Sequence, residues 1–208
     1  MAMIVKNLMC SRCGSPLKSK ETDLVLFCTH CGATMEFVDN DAEPVGLHIL
    51  ASSAVEREVV YIPFWRVDAD ISVDRVESTG GFPGFGMKPM RGPQRFYVCA
   101  AGEVHVKDLG GTQALRACTR LKDGWNVEFT RVPPAGEEIP DFGRSSRLEA
   151  VKTSRAAEKD AEFLFLKQEV AAVGTLQEIE YTFQVKGHEV VYVPFVRSGS
   201  GYTPALSF

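Results

Sequence analysis

Four cysteines near the start of the chain form two pairs that can bind one metal ion. Two residues separate Cys10 from Cys13, and two separate Cys28 from Cys31, a gap that lets both thiolates of a pair reach the same ion. A glycine follows each pair, and its freedom to adopt positive φ turns backbone amides toward the sulfurs. Fourteen residues lie between the pairs, about the length of one β-hairpin. This spacing predicts a tetrahedral four-thiolate site, most often occupied by zinc.

A site closed by four thiolates leaves no position for an activated water, so the predicted metal is structural rather than catalytic. His30 lies inside the second pair, where we expect its side chain to point to solvent. A module of this size has almost no core, so the metal must supply its folding free energy. Metal-binding thiolates are best kept in a reducing compartment, and nine residues before the first pair are too few for a signal peptide. We therefore expect a cytoplasmic protein.

The first 35 residues resemble a zinc ribbon, a small β module of transcription factors, RNA polymerase subunits, ribosomal proteins and many bacterial proteins. The resemblance rests on the four cysteines with Gly14 and Gly32, covers about a sixth of the chain, and implies a metal but no activity. The pairs are also similar to those of rubredoxin-like iron sites, which commonly carry a proline inside the second pair. Thr29 and His30 stand there in this chain. The departure favours zinc, with iron as the alternative.

A nine-residue sequence occurs twice in the rest of the chain. Residues 58–66 and 189–197 are identical at seven of nine positions, 131 residues apart. Both copies are rich in β-branched and aromatic residues, which predicts two strands, and the proline in each indicates a bulge, an edge or an end. Residues 95–100 form a weaker third copy, with Cys99 in place of the proline. The first copy also resembles a segment of uncharacterised bacterial zinc-ribbon proteins, a likeness that implies no activity.

These patterns predict an α+β fold with two parts. A small zinc ribbon at 1–40 is followed by a β-rich domain at 45–208, which contains the duplicated strand or hairpin unit and one or two helices. The acidic residues 39–44 are predicted to be a linker between the two cores. The second copy is predicted to be the return strand of a hairpin whose first strand is 179–185 and whose turn is at 186–187.

Three further segments are assigned from their composition. Residues 78–93 contain five glycines and three prolines, which predicts a loop. Ser146 and Glu149 fit a capping box, which predicts a helix from Ser146 to about Ala161. Residues 162–170 either end that helix or form a buried strand. A short helix is predicted at 112–118.

The charges argue against a general attraction to nucleic acid or to an anionic membrane. The chain has 23 basic and 27 acidic residues, a formal charge of −4. The side-chain charges of the first 40 residues sum to zero, and a four-thiolate zinc site adds about −2. No apolar stretch approaches the roughly 18 residues that predict membrane insertion. One basic stripe is interpreted as a solvated face, with an anionic partner as the alternative: Arg144, Arg147, Lys152, Arg155 and Lys159.

Enzymatic motifs are hard to find, since the histidines stand apart from nucleophile motifs and no phosphate-loop spacing occurs. The leading hypothesis is a non-catalytic, zinc-binding protein that acts as a protein-interaction or adaptor module. The alternatives are a nucleic-acid-associated factor of transcription or translation, and an enzyme whose site is assembled in the large domain. Aromatic residues and arginines are frequent interface anchors. They supply the candidate partner-binding residues, for which burial in the core is the alternative: Phe82, Phe85, Trp65, Arg66 and Arg197.

Overall fold

The computed structural model describes residues 8–17, 21–50, 52, 58–79, 91–102, 146–173, 175–199 and 201–205. Within them, the strands are β1 (Val25–Phe27), β2 (Thr34–Val38), β3 (Asp41–Pro44), β4 (Gly46–Ile49), β5 (Val59–Thr79), β6 (Gly92–Cys99), β7 (Ser146–Arg147), β8 (Thr175–Ser198) and β9 (Gly201–Pro204). One helix, α1, spans Ser154–Val173. The fold is α+β and rich in strands, as expected. Phe82, Phe85, Arg144 and the helix predicted at 112–118 lie outside the described residues.

The N-terminal sheet is a three-stranded antiparallel meander in the order β1-β2-β3. Asp39 and Asn40 join β2 to β3, and both have positive φ, 50° and 64°. Positive φ at both central residues is the requirement of a type I′ hairpin turn, and Asp and Asn tolerate it best after glycine. The prediction of a linker at 39–44 is therefore wrong, because this acidic segment is a turn followed by a paired strand.

The larger sheet has the strand order β4-β8-β5-β6, with β7 also paired to β5 and β9 to β8. Its centre is the antiparallel pair of β5 and β8, which runs from the Val59–Val196 pair to the Thr79–Thr175 pair. The predicted hairpin turn at 186–187 is wrong, because β8 continues through it. Gly187 lies opposite Asp68 and Val185 opposite Ala69, so residue 186 is the extra residue of a bulge.

The two copies of the repeated sequence pair directly with each other in this sheet. Ile62 lies opposite Val193, its own equivalent in the repeat. The pairs on either side are related by symmetry about this central pair: Val60 with Phe195, Tyr61 with Pro194, Pro63 with Tyr192, and Phe64 with Val191. The neighbouring backbone bonds repeat too. Leu148 donates to Tyr61 as Leu50 does to Tyr192, and Ala100 donates to Pro63 as Ala205 does to Pro194.

The repeated prolines are tolerated inside the sheet because the neighbouring ladders stop beside them. Nitrogen and oxygen of one residue point to the same side of a strand, so Pro63 faces β6 with both atoms. Its carbonyl accepts a hydrogen bond from the amide of Ala100, one residue beyond the end of β6. Because the ladder with β6 has ended there, the missing N–H of the proline leaves no partner without a donor. Pro194 has the same relation to the end of β9, through Ala205. Each proline therefore lies where a neighbouring ladder ends, while the strand that contains it continues on both sides.

The two faces of the larger sheet bury different residues. On the face we call the helix face, Trp65, Val67 and Ile71 pack with the inner side of α1 and with Val25 and Phe27 of β1. On the face we call the far face, a second cluster is centred on the repeat: Leu50, Ile62, Phe64, Tyr97, Val191, Val193 and Phe195. The N-terminal meander and the larger sheet thus share one core through β1, so no linker separates them.

The helix starts eight residues later than the capping-box pattern predicts. Ser146 and Arg147 pair with β5 as strand β7, and this tertiary pairing overrides the local signal. The first helical hydrogen bond runs from Ala157 to Thr153, whose hydroxyl also accepts from the amide of Ala156. The ambiguous stretch 162–170 is helical. The predicted loop 78–93 is shorter than expected at both ends, since β5 reaches Thr79 and β6 begins at Gly92.

Candidate metal centre

The two cysteine pairs have the same backbone geometry. In the first, the amide of Gly14 donates to the carbonyl of Cys10 at 2.8 Å, and Gly14 has φ of 71°. In the second, the amide of Gly32 donates to the carbonyl of Cys28 at 2.9 Å, with φ of 69°. A side chain at either glycine would strain this left-handed turn, which curls the backbone around the sulfurs. Gly14 and Gly32 therefore adopt the positive φ that the sequence predicted.

The four sulfur atoms converge on one point. All lie within 4.8 Å of one another. Cys10 Sγ is 3.7 Å from Cys31 Sγ, and Cys13 Sγ is 3.5 Å from Cys28 Sγ. A tetrahedral ion with metal–sulfur bonds of about 2.3 Å requires sulfur separations of about 3.8 Å. The cluster therefore fits a metal ion, and His30 is exposed beside it.

The environments of the thiols differ. A hydrogen bond from the Ser15 hydroxyl, supported by the Ser15 backbone, lowers the pKa of Cys13 to about 6. The backbone amide of Ala33 lowers the pKa of Cys31, but burial and the three neighbouring sulfurs outweigh that effect and raise the pKa to about 12. Four neighbouring thiols do not all ionise easily, because adjacent thiolates repel one another. A bound cation offsets this repulsion, so metal binding and proton release are linked.

A buried carboxylate attaches the metal-binding meander to the larger sheet. One oxygen of Asp23 accepts from the amides of Val25 at 3.2 Å and Ala150 at 3.0 Å, and the other lies 3.5 Å from Arg147 Nη2. The amide of Leu24 donates to the carbonyl of Ala150 at 2.7 Å. Burial raises the pKa of Asp23, against the opposing effects of the Ala150 amide and of Arg147. This contact needs both parts of the chain to be folded.

Arg147 is the second element of the attachment. Its guanidinium carbon lies 4.3 Å above the centre of the Phe27 ring, and one nitrogen donates to the Tyr192 hydroxyl at 3.3 Å. The Phe27 and Tyr192 rings are 6.1 Å apart. Arg147 was predicted to be part of a solvated basic stripe. That prediction is wrong for this residue, because the guanidinium lies between two aromatic rings and a buried carboxylate.

The meander also holds the first turn of α1. Glu36 of β2 is 2% exposed, and its carboxylate accepts from the amide of Ser154 at 2.6 Å. A carboxylate at this place satisfies an otherwise unpaired amide and interacts favourably with the positive end of the helix dipole. Asp39, in the turn before β3, forms an ion pair with Arg155. The metal module therefore contacts the helix start as well as the sheet.

The candidate partner-binding residues have different surroundings. Trp65 is fully buried and its Nε1 donates to the carbonyl of Lys152 at 2.7 Å, so its prediction as an exposed anchor is wrong. The Arg66 side chain is 14% exposed and pairs with Glu189 and Asp68. Arg197 is exposed, with its guanidinium 5.9 Å from the Tyr202 ring.

An ion-pair network crosses the larger sheet at one end of the paired repeat copies, where Arg66 lies opposite Glu189, and sequence analysis missed it. His48 Nε2 lies 2.6 Å from a Glu189 oxygen that also binds Arg66. Asp68 bridges Arg66 at 3.2 Å and Arg95 at 2.7 Å. These groups come from four strands, and all of the pairs except Arg66 with Asp68 depend on the register between strands, so no local motif could reveal the network. Each charge is balanced by a neighbour, which is the arrangement of a structural network.

None of the helices in the described part of the chain is both long and apolar enough to cross a membrane. Comparison with known protein families, with curated proteins and with solved structures found no match to this chain.

Proposed function

We propose that the protein is a non-catalytic scaffold that binds one structural zinc ion and presents its folded surface to another protein. The observation that carries the first half is the closed cluster of four sulfurs on a module that shares its core with the larger sheet. Four thiolates leave no open coordination position, so the metal serves the fold. Thr29 and His30, in place of the proline of rubredoxin-like sites, support zinc over iron.

The second part of the proposal, interaction with another protein, is supported by the ion pairs that the described polar side chains already form. Of the described histidines, His48 pairs with Glu189 and His188 with Glu158, while His30 is exposed beside the cysteine cluster. Three of the five basic residues in the predicted stripe pair with acidic side chains: Arg147 with Asp23, Lys152 with Asp160, and Arg155 with Asp39. Neutralised cations are poor phosphate ligands, which weakens the nucleic-acid alternative. A reducing, cytoplasmic location suits four free thiolates.

We further propose that the larger sheet is a duplicated unit. In each half, a short strand precedes the long strand that carries the repeated sequence, and a partner strand follows it: β4, β5 and β6 in the first half, and β7, β8 and β9 in the second. Each short strand pairs in parallel with the long strand of the other half. The halves would then exchange strands like the two subunits of an intertwined dimer.

Two measurements test this function. Elemental analysis of protein purified from its native host should give one zinc per chain, and one iron without zinc would overturn the metal assignment. Affinity purification with quantitative mass spectrometry and size-exclusion chromatography should yield a defined complex with another protein. Recovery of nucleic acid with the wild type would favour the alternative, and a strictly monomeric protein with hydrolytic or redox turnover would favour an enzyme.

A further inference from the structure

We propose that the outward surface of α1 is the docking site, and that its partner is an acidic segment with an apolar anchor. The inference rests on the proposed interaction function and names the chemistry of the partner. We call this surface the outer stripe. It consists of five residues: Ala156, Lys159, Phe163, Lys167 and Val170.

The outer stripe is continuous on the helix. At about 100° per residue its five members fall within an arc of about 80°, and at about 1.5 Å per residue they extend over about 21 Å. Phe163 lies four residues from each lysine, so the two ammonium groups flank the ring at about one helical turn on either side. The opposite side of α1 packs on the larger sheet through Ala157, Ala161 and Phe165. The stripe therefore points away from the core.

The stripe exposes two large apolar side chains. Phe163 is 64% exposed and Val170 is 43% exposed. The inner side of α1 is occupied by Ala157, Ala161 and Phe165, which are all fully buried. The larger apolar residue Phe163 is thus left outside on a helix that packs alanines inside. Aromatic rings bury about 150–250 Å² when covered, so one exposed ring can anchor an interface.

The charged side chains of α1 differ in whether they already have a partner. Its acidic residues on the flanks bond to neighbours: Glu158 with His188, Asp160 with Lys152, and Glu162 with Tyr181. Lys159 and Lys167 remain on the stripe, and no described carboxylate forms an ion pair with either. A protein of net charge −4 thus carries a locally cationic stripe around an apolar ring. Charge complementarity favours an acidic partner.

The stripe fits a peptide better than it fits phosphates or lipid. Two lysines about 12 Å apart along the helix axis neutralise few phosphates, and an aromatic ring between them gives a duplex backbone nothing to contact. One phenylalanine and one valine bury too little apolar area to hold a protein of net negative charge on an anionic membrane. An acidic helix with one apolar row satisfies both features, because its carboxylates meet the lysines while its apolar row covers Phe163.

The test uses two synthetic 18-residue helices that share one leucine row and differ only in flanking charge, glutamate in one and lysine in the other. We expect the full-length, zinc-loaded protein to bind the glutamate probe with a Kd of about 10–300 μM in low salt and the lysine probe at least tenfold more weakly, by fluorescence anisotropy. Phe163→Ser and Lys159→Glu/Lys167→Glu should each weaken the glutamate probe at least tenfold. Equal binding of the two probes, or binding unchanged by Phe163→Ser, would overturn the proposal.

Val151→Ser is the matched control, because Val151 is 41% exposed and lies outside the helix. It should leave binding unchanged, and both it and Phe163→Ser should keep the melting temperature. Two further assays test lipid and nucleic acid as the occupant: flotation with vesicles of phosphatidylserine and phosphatidylcholine, and retention of a duplex oligonucleotide. If the protein binds in either assay and Phe163→Ser abolishes that binding, the occupant is lipid or nucleic acid and the proposal is overturned. A native protein complex that survives Phe163→Ser would overturn the docking site while leaving the proposed function intact. Failure to find any native complex would count against the function itself.

Discussion

The rings of Phe64 and Phe195 stack on each other with centroids 6.3 Å apart and planes 20° apart. The two residues hold the same position in the two copies of the repeated sequence, and both are buried in the far-face cluster. They lie on paired strands but four positions apart in register, so both rings reach back over the central pair of Ile62 and Val193. The repeat thus forms its own core contact.

This contact predicts equal and coupled effects of equivalent substitutions. Phe64→Leu and Phe195→Leu should each lower the free energy of unfolding by about 1–2 kcal/mol, since both rings are buried and meet each other. In a double-mutant cycle measured by urea denaturation, the coupling should be about 0.5–1.5 kcal/mol. Phe183, which packs in the helix-face cluster, supplies the control: Phe64→Leu with Phe183→Leu should be additive. Clearly unequal single effects would argue against a symmetric role for the two copies.

Metal removal should destabilise α1 as well as the meander. Glu36 holds the amide of Ser154, and Val25 belongs to the same core as Trp65, so loss of the meander exposes the helix start. Chelation, or Cys28→Ser, should therefore lower the melting temperature of the whole transition and reduce helical circular dichroism at 222 nm. His30→Ala, at an exposed position beside the sulfur cluster, should change neither. A helix signal and main transition unaffected by metal removal would show that the meander folds separately.

Zinc binding should release more protons as the solution becomes more acidic. At pH 7, the pKa of Cys13 of about 6 leaves it mostly ionised before metal binding, whereas the pKa of Cys31 of about 12 leaves it protonated. Binding at pH 7 must therefore displace the Cys31 proton. At pH 5 it must displace the Cys13 proton too. Calorimetric titrations in buffers of different ionisation enthalpy should show that the number of protons released per zinc ion rises by about one between pH 7 and pH 5. Removing the Ser15 hydroxyl by Ser15→Ala should diminish this rise, because Cys13 would then be protonated at pH 7.

Asp23 should make the fold less stable as the pH rises. Burial raises its folded pKa above the ordinary 3.8, so its contribution is fully present below that value and is lost as the pH rises through the raised pKa. The free energy of unfolding of the wild type should fall relative to Asp23→Asn as the pH increases from about 4 toward neutrality. In an Arg147→Met background the loss should extend to higher pH, since the opposing positive charge is gone. Parallel stability curves for the wild type and Asp23→Asn would contradict this reasoning.

Local chemistry in the sequence was enough to specify the cysteine cluster. The two-residue gaps and the glycines at 14 and 32 set the backbone turns within five residues, and short-range geometry of this kind needs no distant partner. The β-branched and aromatic residues of 58–66 likewise predicted the first part of β5 as a strand, because these residue types favour extended backbone by themselves.

Tertiary structure decided the features whose partners are remote in the chain. The capping-box pattern at Ser146 became strand β7 because β5 offers a ladder there, and the turn expected at 186–187 became a bulge because β8 stays paired to β5 across it. The acidic segment 39–44 became a turn and a strand because β2 lies beside it. The sequence also could not show that Asp23 and Glu36 would be buried against Arg147 and Ser154. Their interaction energies depend on groups more than a hundred residues away, which only the folded chain brings within hydrogen-bonding distance.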